Sequence, residues 1–260
     1  MSNPIKSEEV KPYEETSHKT AQVSTMFNNI AKYYDFLNHF LSLGIDKRWR
    51  KKAIAKLAAA QPKVILDVAT GTGDLALEAE KQLKPNQIIG VDISPKMLEI
   101  GRKKVEKQQL SHIITLEDGD SEKLHFPDNH FDAITVAFGV RNFANVEAGL
   151  KDIVRVLKPN GTLVVLEFSK PKSFPFKQGY NFYFKYVLPT IGRITSKDKK
   201  AYSYLYESVQ AFPEGEQFTQ LLTQIGLQDT TCEPLTLGIC SIYTGKKHSP
   251  QPPTSNPTEG

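Results

Sequence analysis

An α/β fold, a mostly parallel β-sheet with helices on both faces, is predicted by three observations. Short runs rich in β-branched residues alternate with amphipathic stretches. A turn bearing two glycines joins the first apolar run directly to a helical stretch, and the second apolar run ends on an acidic residue. At 260 residues the chain has room for one such domain with additions. Hydrophobic residues make up 39% and charged residues 24%, as in globular proteins, and no apolar run approaches the ~18 residues that would span a bilayer. The opening MSNPIKSEEVKPYEETSHKT lacks an apolar core, so neither a secretory signal nor a transit peptide is expected and the cytoplasm is the expected location. Cys232 and Cys240 have no CxxC spacing and no histidine cluster, which favours reduced, buried thiols over a disulfide or a metal site. The net charge of +4 is mild, and a nucleic-acid partner is not expected.

In chain order, residues 1–20 are polar and expected to be disordered, residues 21–245 form a single domain, and 246–260, rich in Pro, Ser and Thr, are again disordered. VSTMFNNIAKYYDFLNHFLS and DKRWRKKAIAKLAAA read as helices covering the domain from its N-terminal side. Strands follow at 63–69, 87–92, 112–118, 131–138 and 161–168, and runs at 228–233 and 237–244 complete a seven-stranded sheet. Helices fill the gaps: Asp74 to Leu83, Ser94 to Gln108 with Ser94 as N-cap and Pro95 in the first turn, and Val146 to Leu157 before a KPNG turn. Between the fifth and sixth strands, residues 170–226 form a helical insertion.

In LDVATGTGDLA, Gly71 and Gly73 bracket Thr72 between strand and helix, where glycine permits a sharp turn and close approach of a ligand to unpaired N–H groups. The turn lacks the third glycine of a dinucleotide fingerprint and the GK[ST] of a P-loop, which disfavours a phosphate cradle. Asp92 ends the second strand in GVDIS; it either caps the following helix or accepts hydrogen bonds from a ribose diol beyond the strand ends. The two features together point to a nucleoside-containing cofactor without a phosphate contact.

From these residues the chain resembles the class I S-adenosylmethionine-dependent methyltransferases, with their Rossmann-like fold. The family's acidic-x-Gly-x-Gly-x-Gly turn reads here from Asp67 to Gly73, with Ala69 at the first glycine. The resemblance implies S-adenosyl-L-methionine as cofactor. It places Asp67, Gly71, Thr72, Gly73 and Asp92 around it, with Asp120 and Ser121 of EDGDSEKL near the adenine and Ala137 at the end of the fourth strand. MFNNIAKYYDFLNHFLSLGIDKRWRKKAI, FGVRN and LEFSKP further resemble the demethylmenaquinone and 2-methoxy-6-polyprenyl-benzoquinol C-methyltransferases, over residues 22–245. C-methylation of a polyprenylated quinol is implied, demethylmenaquinol to menaquinol ahead of the benzoquinol of ubiquinone synthesis. The rivals are methylation of another small molecule or of RNA, and a noncatalytic scaffold.

Arg141 and Asn142 are the candidate catalytic residues. A cation facing the quinol oxygen favours its ionised form, which pushes electron density onto the ring carbon, and an amide can orient the same oxygen. The alternative is an arginine paired with a helix carboxylate and an asparagine capping a turn. The proton acceptor stays open among Tyr33, Tyr34, Asp35, His39 and Glu167. Ten phenylalanine and tyrosine residues fall between Phe174 and Tyr206 with lysines among them, either as a packed amphipathic cap or as a prenyl groove with a basic rim. A transient contact with a membrane surface is therefore expected. Self-association is left open.

Overall fold

A computed structural model describes residues 5–13, 16–42, 44–182 and 199–249. Seven strands, β1 (Val64–Val68), β2 (Gln87–Asp92), β3 (Ile114–Asp118), β4 (Phe131–Ala137), β5 (Leu157–Phe168), β6 (Leu227–Leu235) and β7 (Cys240–Lys247), form one sheet in the order β3-β2-β1-β4-β5-β7-β6. The first five are parallel, and β7 runs antiparallel to β5 and β6. Strand order reverses between β1 and β4, so their carboxyl ends open a crevice. β5 starts at Leu157, ahead of the expected 161. The KPNG turn is carried into the strand because Phe131 pairs with Leu157 and the register then shifts before Ala133 meets Thr162. Asn160 absorbs the turn at φ 62°.

Alternate residues of β1 and β4 feed two cores. Leu66, Val68, Ile134 and Val136 pack against α6 (Val146–Val156) and α9 (Glu216–Gln224) through Leu150, Ile153, Phe218 and Leu222. Ile65, Ile88 and Ala133 face the other way, onto α3 (Ile45–Ala55), α4 (Asp74–Leu83) and α5 (Pro95–Lys107). Ser94 caps α5 by accepting from the Met97 N–H, and Asn145 caps α6 by accepting from the Ala148 N–H.

Two further boundaries differ from expectation. Residues 1–20 are expected to be disordered, yet residues 6–9 form a helical turn, α1 (Lys6–Glu9), with Ser7 buried. The cause is tertiary: the Glu8 carboxylate accepts from the Val146 N–H at the start of α6, where free donors and the helix dipole favour an anion. At the other end β7 continues to Lys247, whose Nζ donates to the Asn129 side chain and to the Arg155 and Leu157 carbonyls. Helix α2 (Lys19–Leu41) packs Val23, Met26 and Ile30 against Met97 of α5 and Tyr204 of α8 (Lys199–Ala211), covering the crevice. The insertion also holds α7 (Phe176–Phe182); its residues 183–198, which carry three of the expected aromatics, lie outside the described residues. Among the described residues no helix is long and apolar enough to cross a membrane.

Candidate active site

The crevice is floored by the turn after β1, where Ala69, Gly71 and Gly73 all take left-handed conformations at φ 53°, 57° and 77°. Two are glycine, and the alanine bears a left-handed cost of about 1–2 kcal/mol at the position where the class pattern has glycine. A Cβ on Gly139, after β4, would lie 2.6 Å from the Ala69 Cβ; glycine there lets the β4 loop descend onto the β1 turn. From beneath, the buried Asp67 carboxylate accepts from the Thr70 hydroxyl at 2.6 Å and the Thr135 hydroxyl at 2.7 Å. Burial pushes Asp67 up to about 6, against those hydroxyl bonds. Asp92 accepts from the Gly71 N–H and the Ser94 N–H, each at 2.8 Å, so it stitches the β1 turn to the start of α5. Burial pushes Asp92 up to about 6 as well, opposed by its backbone N–H donors.

Two recesses flank the turn and share Ala69. The first, about 450 Å³, lies between Thr20, Val23 and Phe27 of α2 and a wall of Asp92, Asp120, Ser121 and Asn142. The second, about 340 Å³, is lined by Asp67, Gly71, Thr72, Ala137 and Phe138, with Tyr34 and Arg50. Gly73 stands behind them as the N-cap of α4. Most of the sequence-predicted binding residues therefore meet in two adjoining spaces. Two cations escaped the sequence reading. Arg50 is buried, bonds Asp46 one turn earlier on α3, and reaches Asp74 at 3.8 Å. Lys104 Nζ donates to the Thr72 hydroxyl at 3.0 Å and to Asp74 at 2.7 Å. The spacing from Asp46 to Arg50, one helical turn, is the signal that sets Arg50 apart from its lysine neighbours.

Arg141 lies behind the first recess, 2% exposed, in the turn that follows β4. One terminal nitrogen donates to Glu167 Oε1 and to the Phe138 carbonyl, each at 2.6 Å, and its Cζ stands 5.3 Å from the Phe168 ring centroid. The partner carboxylate thus comes from the end of a strand, β5, rather than from a helix. Glu167, one of the candidate proton acceptors, is its counter-ion, 0% exposed; burial raises its pKa and the Arg141 charge opposes the rise. Arg141 Nε has no hydrogen-bond partner among the described residues. Asn142 donates to the same Phe138 carbonyl at 3.2 Å and accepts from the Tyr204 hydroxyl at 3.1 Å. Lys19 Nζ donates to the Ser7 carbonyl at 2.5 Å and lies 3.5 Å from the Arg141 carbonyl; burial lowers Lys19 to about 8. Tyr34 lines the second recess, whereas the side chains of Tyr33, Asp35 and His39 lie outside the described residues.

A 3-2-1-4-5-7-6 sheet with a reversed seventh strand, a glycine turn after β1 and an acidic end to β2 define the class I S-adenosylmethionine-dependent methyltransferase fold. Solved structures share it. An S-adenosylmethionine-dependent methyltransferase from Thermotoga maritima superposes with a TM-score of 0.61 at 19% identity, covering 86% of this chain and 99% of the other. Human N-acetylserotonin methyltransferase in complex with S-adenosylmethionine gives 0.60 at 16% identity, over 87% of this chain and 59% of that one. Within that class the chain belongs to the ubiE/COQ5 methyltransferase family, whose sequence model matches residues 15–247. It is 50% identical over 240 residues to a demethylmenaquinone methyltransferase of Bacteroides fragilis, covering 92% of this chain and 98% of the relative. A demethylmenaquinone methyltransferase of Porphyromonas gingivalis is 45% identical over 92% of this chain and 98% of its own. A ubiquinone/menaquinone biosynthesis C-methyltransferase of Geobacter sulfurreducens is 46% identical over 89% and 90%.

Proposed function

We propose that this methyltransferase uses S-adenosylmethionine to methylate a ring carbon of demethylmenaquinol, giving menaquinol. The residues fit the cofactor's parts. Asp92 presents a carboxylate to the first recess for a ribose diol, Asp120 and Ser121 border the same recess for the adenine edge, and the buried Arg50 borders the second for an amino-acid carboxylate. Gly71, Thr72, Gly73 and Ala137 let the ligand approach backbone, and the turn contains no phosphate-binding lysine. When bound, S-adenosylmethionine supplies an electrophilic methyl group on positively charged sulfur.

The chain's own part in the chemistry falls to Arg141 and Asn142. A neutral hydroquinone is a weak carbon nucleophile and its ionised form a strong one, so the enzyme must favour charge on the quinol oxygen. Arg141, held by Glu167 and the Phe138 carbonyl, retains Nε as an unspent donor in a nearly dry setting where a charge-directed hydrogen bond carries most weight. An unpartnered buried donor costs about 1–3 kcal/mol, which a ligand oxygen would recover on reaching past the recess lining, where Arg141 does not itself stand. Asn142, lining the recess beside Asp92, orients that oxygen. α2 and α8 exclude water from the site. A substrate with a polyprenyl tail further calls for peripheral contact with the cytoplasmic face of a membrane.

The observation that carries this reading is that Asn142, next to the orphaned Arg141 Nε, shares one recess with Asp92. Purified protein given S-adenosylmethionine and demethylmenaquinol should yield a quinol one methylene heavier by mass spectrometry, and deletion of the gene should accumulate demethylmenaquinone. An unchanged quinone profile with no turnover in vitro would sink the proposal. The Geobacter relative's name spans ubiquinone and menaquinone synthesis, so the second reading is the benzoquinol substrate. Preferential turnover of that ring would select it.

A further inference from the structure

Among the described residues, the large hydrophobic side chains that stand exposed are Phe174, at 80%, and Leu237, at 57%. Leu237 lines a recess together with Lys172, Ser173 and Gly238, Phe174 follows Ser173 directly in the chain, and a Cβ on Gly238 would stand 3.5 Å from the Pro171 Cα. Phe168 pairs with Cys240 at the carboxyl end of β5, so the loop carrying Phe174 and the turn carrying Leu237 both leave the sheet edge that opens the crevice.

Leu237 is also strained. Thr236 and Leu237 are left-handed at φ 46° and 60°, a region that glycine or asparagine tolerates better. Thr236 is compensated, since its hydroxyl accepts from Trp49 Nε1 at 2.7 Å. Leu237 gains no comparable burial: a leucine in strained backbone with its side chain in water weakens the folded chain, which points to a contact outside it. Lys172 and Lys177, both exposed, stand on either side of Phe174 in the chain, and this pairing of apolar tips with cations complements an anionic lipid surface better than an apolar protein face.

We infer that Phe174 and Leu237 insert into an anionic bilayer, flanked by Lys172 and Lys177, and so seat the edge bearing the crevice on the membrane. The inference deepens the polyprenylated-substrate reading and rests on it for its purpose, but its test does not need turnover. Full-length protein should co-sediment with phosphatidylcholine vesicles containing about 30% phosphatidylglycerol and bind pure phosphatidylcholine at least several-fold more weakly. Phe174→Ser with Leu237→Asn should weaken binding roughly tenfold or more. Leu237→Asn alone should weaken it several-fold while Tm holds or rises by about 2 °C, because asparagine relieves the backbone. That combination excludes misfolding as the cause. In a Phe174→Trp variant the added indole should be quenched by brominated lipid, whereas the buried Trp49 of the parent should not.

Unchanged vesicle binding in the double variant, or an unquenched indole, overturns the inference. So does loss of a dimer by sedimentation velocity in place of lost lipid binding, which would assign the patch to a second copy of the chain. A short-chain, water-soluble demethylmenaquinol keeps the two proposals apart: the double variant should turn it over like the parent. A parent that binds vesicles through these residues yet methylates no quinol would refute the substrate reading and leave the membrane surface standing.

Discussion

The two halves of the crevice are built in different ways. On the β1 and β2 side the strand-end carboxylates fix the backbone turn itself: Asp92 accepts from the Gly71 N–H across 21 residues and Asp67 from the Thr70 hydroxyl across three, with Thr135 and Lys104 bracing it from farther off. On the β4 and β5 side the contacts are side-chain contacts gathered from across the chain: Tyr204 meets Asn142 across 62 residues and Lys19 meets the Arg141 carbonyl across 122. A backbone-built half suits a ligand that never changes, and a half assembled from side chains on loops and covering helices can be retuned to a different acceptor without disturbing the first.

That contrast breaks most visibly at Arg141. Arg141→Ala should lower kcat on the order of 10²–10³-fold while the cofactor Kd from calorimetry stays within a factor of two or so, since one preorganised charge-stabilising donor carries about that much. Losing the guanidinium also strands the Glu167 charge in the core, a destabilisation of about 3–5 kcal/mol. Arg141→Met with Glu167→Leu removes both charges and should restore most of the lost Tm with turnover still low. A cofactor Kd that rises as steeply as kcat falls would show that the halves are not separable.

Asp92→Ala tests the other half. Removing a carboxylate that holds two loop N–H groups, and that on the proposed reading also holds the ribose diol, should weaken the cofactor Kd by roughly 10- to 100-fold, with quinol KM little changed. A rise in quinol KM of the same size would erase the distinction.

The same contrast explains what was legible in the sequence. Parallel strands buried on both faces read as continuous apolar runs, so β1, β2, β4 and β5 and the turn residues Gly71 and Gly73 stand out by local pattern alone. Asp92 is legible because its place at the end of β2 is local too. The partner of Arg141 is not: Glu167 faces it through the pairing of Ala137 with Leu166 one residue earlier, a register no local pattern carries. α1 is hidden for a like reason, since four polar residues form a helical turn only because α6 offers its free N–H groups to Glu8. Arg50 sits among lysines on α3, and only its i,i+4 partner Asp46 separates it from a solvated basic face.

Titration should divide the crevice again, more gently. Asp67 and Asp92 both rise from 3.8 to about 6 in the folded protein. The folded state therefore holds protons that the unfolded chain has released between those values. Their contribution to stability is fully present below about pH 3.8 and is lost as pH climbs through about 6. On the proposed reading cofactor affinity runs the opposite way, because a ribose diol would need the ionised Asp92. Calorimetry between about pH 5 and 8 should find Kd weakening towards tenfold per unit below 6. Asp92→Asn should abolish that slope and stay weak throughout, while acceptor-side variants keep it. A slope that survives Asp92→Asn would assign the titration to another group.

The smallest effect is expected at Tyr204. Tyr204→Phe removes one hydroxyl donor from Asn142 and leaves the ring in its contacts with α2. The net worth of such a bond is about 1 kcal/mol, and Asn142 Oδ1, at the wall of the recess, can take water in its place. kcat should fall only a few-fold and Tm by about 2–4 °C, with cofactor Kd unmoved. Since the Tyr204 hydroxyl donates to Asn142 on the acceptor half, a cofactor Kd that shifted more than kcat would mean the covering helices transmit strain across the crevice, and the two halves would have to be treated as one cooperative unit.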